Sequence, residues 1–258
     1  MSERAVNFVL RQGADESGSA EANMKINCVW EHNGNDSILY ADNFVGAFTR
    51  GASKEEAIRK MPEEIRRFQL WISEAPLDDY DIEIVQEKES VLQIRDADSD
   101  VLFTTEEEPL RAEEYQYLKS LALKSAEDFY ALYNSFPDKN QSAVPHRKTF
   151  YGEVPRTAEE MYQHTKNVNE YYFSEVGVKS DNEGSILSCR ARGFAALESI
   201  AGYLSLEPVT GSYDEQWSIR KVLRRFIWHD RIHAKAMYRM GIRTFGPDAI
   251  PDIFGFAR

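Results

Sequence analysis

The spacing of apolar residues divides the chain into two stretches of different character. From Met24 onward, short runs alternate apolar and polar positions, and this period of two predicts β-strands. Beyond Pro109 the apolar residues recur every three or four positions, which predicts amphipathic helices. The expected organisation is a flexible tail over residues 1–23, an α+β domain over 24–108, an all-α four-helix bundle over 109–246 and an apolar C-terminal tail over 247–258.

Three strands, a helix and further strands are predicted in the first domain. The first strand carries Met24, Ile26, Cys28 and Trp30 in alternation, and a turn-like segment over residues 32–36 joins it to a second strand over 37–40. A third short strand fits residues 47–50. Further strands are expected over residues 80–88, 91–95 and 101–104.

The predicted helix of the first domain begins with a capping box. Ser53 can accept a hydrogen bond from the backbone N–H of Glu56, while the Glu56 side chain reaches back. Pro62 lies inside this helix and removes one backbone hydrogen bond, so we expect a kink or a later start. The order of elements is therefore βββαβ.

A short motif links this domain to a known family. The segment over residues 48–57 (FTRGASKEEA) combines a strand, a glycine, a helix cap and an acidic helix start. Through it, residues 24–90 resemble the HicB-like domain of bacterial toxin–antitoxin antitoxins. The resemblance implies a HicB-like α+β fold and a role in contacting another protein. A small α+β domain attached as an accessory is the simpler alternative.

The second domain is predicted to contain four helices. The first spans residues 110–136 and ends at Pro137, and a long loop follows it. A second capping box at Thr157 and Glu160 opens the next helix, and two more begin at about Ser185 and Trp217.

Three of the five histidines lie on these helices at positions suited to metal binding. His229 and His233 are spaced i, i+4, which places both imidazoles on one face of the last helix. His164 lies on the apolar stripe of the helix after Thr157, so all three are expected to face the core. Three imidazoles from facing helices can bind one divalent ion and leave a fourth position for water. A hydrogen-bonded core histidine remains the alternative for each.

The expected cofactor is one divalent metal ion. An all-imidazole site accepts Zn²⁺, Ni²⁺, Cu²⁺ or Fe²⁺, and we take Zn²⁺ or Ni²⁺ as the leading candidates, with Fe²⁺ as a further one. Asp230 stands where the HExxH motif of zinc proteases has glutamate and lies off the histidine face, which argues against a metalloprotease. No catalytic acid or base is assigned, although Tyr171 and Tyr172 are close to His164 in sequence.

A second family resemblance rests on His164 and on residues 217–223 (WSIRKVL) and 227–233 (IWHDRIH). Through them, residues 110–243 resemble the DinB family of bacterial four-helix bundles. The resemblance implies that His164, His229 and His233 bind a divalent ion such as nickel or zinc. Some members of that family transfer low-molecular-weight thiols. A metal-dependent thiol transferase or hydrolase is therefore the leading expectation, and a non-enzymatic binding or regulatory protein with a structural ion is the alternative.

The composition limits the kinds of binding partner and the cellular compartment that we expect for this protein. Residues 1–109 hold 11 basic and 24 acidic side chains, whereas residues 110–258 hold 20 and 19, so the first domain would repel phosphates. The two cysteines form no disulfide framework, and no stretch approaches the roughly 20 apolar residues of a membrane span. We expect a cytoplasmic protein that binds a small-molecule thiol or another small substrate, and neither nucleic acid nor a membrane.

Other residues allow two interpretations each. Arg190 falls on an apolar stripe and either reaches an anionic substrate or extends outward to solvent. A basic run on the last helix is either a solvated face or a surface for the acidic first domain: Arg220, Lys221, Arg224, Arg225, Arg231, Lys235, Arg239 and Arg243. The apolar tail, with Ile250, Ile253, Phe254 and Phe256, packs on its own bundle or forms a homodimer contact.

Overall fold

The computed structural model describes residues 24–77, 79–149 and 152–257. The chain divides into two compact units, the first ending at Glu108 and the second beginning at Pro109. The predicted flexible tail over residues 1–23 lies outside the described residues. No helix in the described ranges combines the length and the apolar character that crossing a membrane requires.

The first unit contains a four-stranded mixed sheet and one long helix. In chain order its elements are β1 (Met24–Asn33), β2 (Asp36–Ala41), β3 (Phe48–Gly51), α1 (Lys54–Trp71) and β4 (Tyr80–Glu89). The strands lie in the order β3-β2-β1-β4. The pairs β1–β2 and β2–β3 are antiparallel, and β4 returns parallel to β1 after α1. The predicted βββαβ order and the α+β class of this domain are confirmed.

Local sequence explains these elements. Gly34, with φ of +57°, forms the two-residue turn that closes the β1–β2 hairpin. Ser53 accepts a hydrogen bond from the Glu56 N–H, while the Glu56 carboxylate accepts from the backbone N–H of Ala52, one residue earlier than in a standard capping box. Helix α1 continues through Pro62, so the expectation of a later start is wrong.

Two predicted strands are wrong. Residues 91–95 and 101–104 form no strand, and short 3₁₀ turns occupy Ile94–Asp96 and Thr104–Glu107. The apolar residues that suggested strands are buried without strand pairing, since Phe103 packs against Tyr40 with ring centroids 5.5 Å apart. Side chains of the sheet bond this backbone instead: the Gln86 amide donates to the Leu102 carbonyl and accepts from the Thr104 N–H.

The second unit is mainly helical. Its helices are α2 (Ala112–Asn134), α3 (Ala158–Ser174), α4 (Ile186–Glu198) and α5 (Ile219–Phe245). Two short hairpins accompany them, β5 (Lys148–Thr149) with β6 (Gly152–Glu153) and β7 (Val209–Thr210) with β8 (Gln216–Trp217). All four predicted helices are present, with ends within a few residues of the expected ones.

Caps and close packing fix the helices of this unit. Thr157 forms the predicted capping box with Glu160, and Ser185 and Ser218 cap α4 and α5. Helices α3 and α4 approach closely at Gly193, where an added Cβ would lie 2.0 Å from the Phe173 ring. Helix α5 packs against both α2 and α3.

The first half of α5 is enclosed along its whole circumference. Each residue from 219 to 231 is buried, including Arg220, Lys221, Arg224, Arg225 and Arg231. The interpretation of the basic run as a solvated face is therefore wrong for these five residues. Arg220 forms a two-point ion pair with Glu114 of α2, with N–O distances of 2.8 and 2.9 Å.

The C-terminal tail packs on α5 of the same chain. Ile250 and Phe254 are buried, and Ile250 lies close to Gly241, where a Cβ would be 2.9 Å away. The ring of Phe256 lies 6.2 Å from that of Tyr238. Packing on its own bundle, the first of the two interpretations, thus describes the tail.

Candidate metal centre

Three histidines meet between α3 and α5. His164 comes from the second turn of α3, and His229 and His233 come from successive turns of α5. One ring nitrogen from each lies within 4.8 Å of the other two. The ring centroids are 4.4 Å apart for the two α5 histidines, and His164 lies 5.2 Å from His229 and 4.6 Å from His233. The structure thus brings together all three residues selected from the sequence.

The three rings differ in exposure. His229 is 7% exposed, His233 is half-buried and His164 is exposed. The prediction that all three face the core is therefore wrong for His164. The buried line of α3 runs through Thr165 and Asn169, one residue away from the predicted stripe. The buried side-chain amide of Asn169 donates to two backbone carbonyls, those of Asp181 and Cys189.

The surroundings keep the imidazoles neutral. Burial lowers the pKa of His229 well below its ordinary value, and the neighbouring His233, His164, Arg225 and Arg190 lower it further. Burial, assisted by His164, lowers the pKa of His233 to about 3. The pKa of His164 is also lowered, because neighbouring groups exclude part of the water around its ring although the residue as a whole is exposed. At pH 7 each ring therefore offers an unprotonated nitrogen.

These residues fit a divalent metal ion. The Nδ1 atom of His229 is buried and has no hydrogen-bond partner among the described residues, which is costly for a polar atom that binds nothing. Tetrahedral coordination at 2.0 to 2.1 Å places ligand nitrogens about 3.3 Å apart. One ring nitrogen of each histidine already lies within 4.8 Å of the other two, which is not far from that spacing.

Aromatic rings border the buried side of the centre. The Tyr172 ring meets that of His229 edge-on with centroids 5.9 Å apart, and the Trp228 ring lies 6.4 Å away. Burial raises the pKa of Tyr172, so its phenol is protonated at pH 7. Tyr171 also has a raised pKa, from burial and from the nearby carboxylates of Glu215 and Glu175. Neither tyrosine is ionised near neutral pH, so neither supplies a phenolate base there.

A buried ion pair adjoins the histidines. Arg190 of α4 donates two hydrogen bonds to Asp230, at 3.0 and 3.1 Å, and both side chains are fully buried. Ser125 donates to the same carboxylate at 2.6 Å, and Arg190 also donates to the Ala122 carbonyl of α2. The interpretation that Arg190 extends outward to solvent is therefore wrong, and its pairing with Asp230 argues against the interpretation that it holds an anionic substrate.

Arg225 lies one turn before His229 on α5, and the sequence analysis missed its place beside the histidines. Its guanidinium carbon is 5.6 Å from the ring centroid of Tyr172, the residue that also touches His229. Trp217 and Trp228 lie at 5.5 and 5.2 Å from the same carbon. The spacing of Arg225, His229 and His233 at i, i+4 and i+8 was the available signal, and the number of basic residues nearby obscured it.

A hairpin places a carboxylate close to Arg225. Glu215 precedes β8, and its Oε1 lies 2.8 Å from Lys221 Nζ and 3.8 Å from Arg225 Nη2. The turn before it contains Tyr213 and Asp214, both with positive φ of about 60°. Burial lowers the pKa of Lys221 to about 8, and Glu215 opposes that change.

Comparison with protein-family models, with curated proteins and with solved structures finds no match for this chain.

Proposed function

We propose that this chain binds one divalent metal ion, Zn²⁺ or Ni²⁺ in the first instance, through His164, His229 and His233, and that the bound ion is catalytic. The observation that carries the proposal is the convergence of three imidazoles whose pKa values are lowered, one of them with a buried and unbonded Nδ1. The resemblance to the DinB family seen in the sequence agrees with this ligand set.

The three histidines differ in solvent exposure, and this difference suggests different roles for them as ligands. His229 lies in the part of α5 that is buried on all sides, and His233 follows one turn later on the same helix, so the helix sets the spacing of these two ligands. His164 is exposed, so the site opens toward solvent on the α3 side. A bound ion would supply Lewis-acid chemistry, lowering the pKa of a thiol or a water that binds in the position left by three ligands.

A catalytic ion agrees better with this geometry than a structural one. Structural zinc sites are normally closed by four protein ligands, whereas the described residues bring three potential ligands together here. The bundle also has its own internal ties between α2, α4 and α5 through Arg190 and Asp230. Transfer of a low-molecular-weight thiol, or hydrolysis of an amide, suits one open position beside aromatic rings. The first unit is then an accessory domain.

Elemental analysis of protein purified without added metal tests metal binding. We expect about one divalent ion per chain, and its loss in His229→Ala. The matched control is His146→Ala, which removes an exposed histidine in the loop before α3 and should leave the metal content unchanged. Equal metal content in all three proteins would show that the ion does not bind at these histidines.

Turnover is the separate test of catalysis. A screen should pair low-molecular-weight thiols with electrophilic acceptors, and should include hydrolysable amides. We expect activity that chelation and His233→Ala both abolish, and that His146→Ala retains. A protein that holds its metal stoichiometrically but shows no metal-dependent turnover in either class of reaction would favour the non-enzymatic alternative.

A further inference from the structure

Helices α3 and α5 run antiparallel through the metal centre. Tyr172, close to the C-terminal end of α3, meets Phe226, close to the N-terminal end of α5, with ring centroids 5.3 Å apart. His164 lies about two turns earlier on α3 and meets His233, about two turns later on α5, at 4.6 Å. The residues that precede His164 therefore lie beside the residues that follow His233.

The two ends of the centre differ in solvent exposure. Toward the N-terminal end of α5 the histidines are bordered by Tyr172, Phe226 and Trp228, and none of these side chains is more than 3% exposed. At the opposite end, Ala236 of α5 and Glu160 of α3 are both exposed. A ligand that reaches the ion from solvent therefore approaches from the end where Ala236 and Glu160 lie.

Ala236 lies on the histidine face of α5. It follows His233 by three positions and His229 by seven, and these spacings place the three residues on one face of the helix. The Cβ atoms of residues three positions apart on a helix are separated by about 5 to 6 Å. Helical side chains lean toward the N-terminal end of their helix, so a longer side chain at position 236 would extend over His233. Met237 and Met240, also beyond His233, are buried. The methyl group of Ala236 is therefore the point at which this face meets solvent.

Glu160, on the other side of the opening, is held in place by the helix cap. Its carboxylate accepts hydrogen bonds from the backbone N–H groups of Arg156 and Thr157, at 2.8 and 3.1 Å. These bonds keep the side chain at the first turn of α3. The size of the residue at position 236 is then the feature of the opening that a single substitution changes most directly.

We propose that Ala236 determines the size of ligand that the metal centre accepts. Its methyl group leaves room for a bulky substituent behind the atom that binds the ion, and this substituent extends into solvent past Ala236. The inference rests on the proposed metal site, and it widens the substrate class from the smallest thiols to thiols of peptide size. A larger side chain at position 236 would exclude the peptide-sized thiols first.

The test uses the full chain loaded with Co²⁺, because a thiolate bound to Co²⁺ gives a charge-transfer absorption band that can be titrated. The ligands are 2-mercaptoethanol and the tripeptide thiol glutathione at one fixed pH. The variants are Ala236→Ser, Ala236→Leu and Ala236→Phe, and none of them changes the charge of the protein. Ala195→Leu is the matched control, because it makes the same change at an exposed position on α4. Leucine is nearly as favourable as alanine in a helix, so we expect each leucine variant to fold.

We expect Ala236→Leu and Ala236→Phe to lower the affinity for glutathione at least about tenfold, because the added atoms overlap the tripeptide. The affinity for 2-mercaptoethanol and the cobalt content should stay close to those of the parent protein. Ala236→Ser adds one oxygen atom and should retain glutathione binding. Ala195→Leu should leave both affinities unchanged.

Three results would contradict the inference. Equal glutathione affinity in the parent protein, Ala236→Phe and Ala195→Leu, with normal cobalt binding and a normal thiolate band, would show that ligands do not pass Ala236 and would leave the metal site intact. Loss of cobalt in Ala236→Leu would show that residue 236 packs on the imidazoles and does not border an opening. A parent protein that binds no cobalt, or shows no band with either thiol, would overturn the proposed function and this inference with it.

Discussion

Protonation of the two imidazoles on α5 links the centre to pH. The pKa values of His229 and His233 are lower in the folded protein than the 6.5 of an unperturbed histidine. Below pH 6.5 the unfolded chain therefore binds more protons than the folded one. The contribution of these two imidazoles to the free energy of unfolding is fully present above pH 6.5. It is lost as pH falls toward 3, the pKa of His233 in the folded protein.

For metal-free protein, we expect the free energy of unfolding to fall by up to about 1.4 kcal/mol per pH unit for each of these two imidazoles. Urea unfolding of chelator-treated protein at pH 7 and pH 5 measures this slope. His233→Gln should reduce the slope, and His146→Ala should retain it. A slope that is the same in His233→Gln as in the parent protein would show that His233 titrates alike in the folded and unfolded chains.

Individual residues show what the sequence could and could not predict about the centre. The i, i+4 spacing of His229 and His233 required only that residues 219–245 form a helix. The exposure of His164 goes with the burial of its neighbour Thr165 and of Asn169, and the Asn169 side chain donates to carbonyl acceptors on other segments. Arg190 is similar, because its buried partner Asp230 lies 40 residues away on another helix. Hydrogen bonds between segments that are distant in the chain leave no pattern in the local sequence, so they could not be predicted from it.

At the level of elements, the Arg190–Asp230 pair ties three helices together. Arg190 lies on α4, Asp230 on α5, and the additional contacts come from Ser125 and Ala122 on α2. A buried ion pair contributes little net stability when intact, but removal of one partner leaves an uncompensated charge in the interior. The two kinds of substitution should therefore differ sharply.

We expect Asp230→Ala to destabilise the protein by about 3 to 5 kcal/mol, because the buried guanidinium loses its carboxylate. The double variant Arg190→Met with Asp230→Leu should recover most of this loss, since neither charge remains buried. Urea unfolding of the two proteins provides the measurement, and Glu127→Gln, which also removes one negative charge but at an exposed position on α2, controls for a simple change in net charge. A double variant as unstable as Asp230→Ala would show that lost side-chain packing, and not the unpaired charge, causes most of the destabilisation.

Helices and strands were not equally predictable. Capping boxes at Ser53 and Thr157 mark two helix starts within the sequence itself, and the starts expected at about Ser185 and Trp217 lie within two residues of the observed ones. A strand also needs a partner edge, and the apolar residues of 91–104 have none that they pair with. Their backbone is bonded in part by side chains such as Gln86, an arrangement that alternation of residue types does not reveal.

On the scale of the whole molecule, the chain divides at Pro109 into two compact units, and each contains buried apolar side chains. We expect a shortened protein of residues 107–258 to be soluble and helical and to bind about one divalent ion. Circular dichroism and elemental analysis, with the full chain as control, check this expectation. An unfolded product would show that the first unit supplies part of the second unit's stability.

The unequal exposure of the three histidines also bears on how fast a metal ion would bind and dissociate. His229 and His233 lie one turn apart on α5, the first buried and the second half-buried, whereas His164 extends from α3 at the surface. Rotation of the His164 side chain alone would open the coordination sphere without unfolding any helix. Release of an ion held here would then require rotation of one side chain and no unfolding of the helix. The rate at which a chelator extracts the ion should therefore be insensitive to mild denaturant.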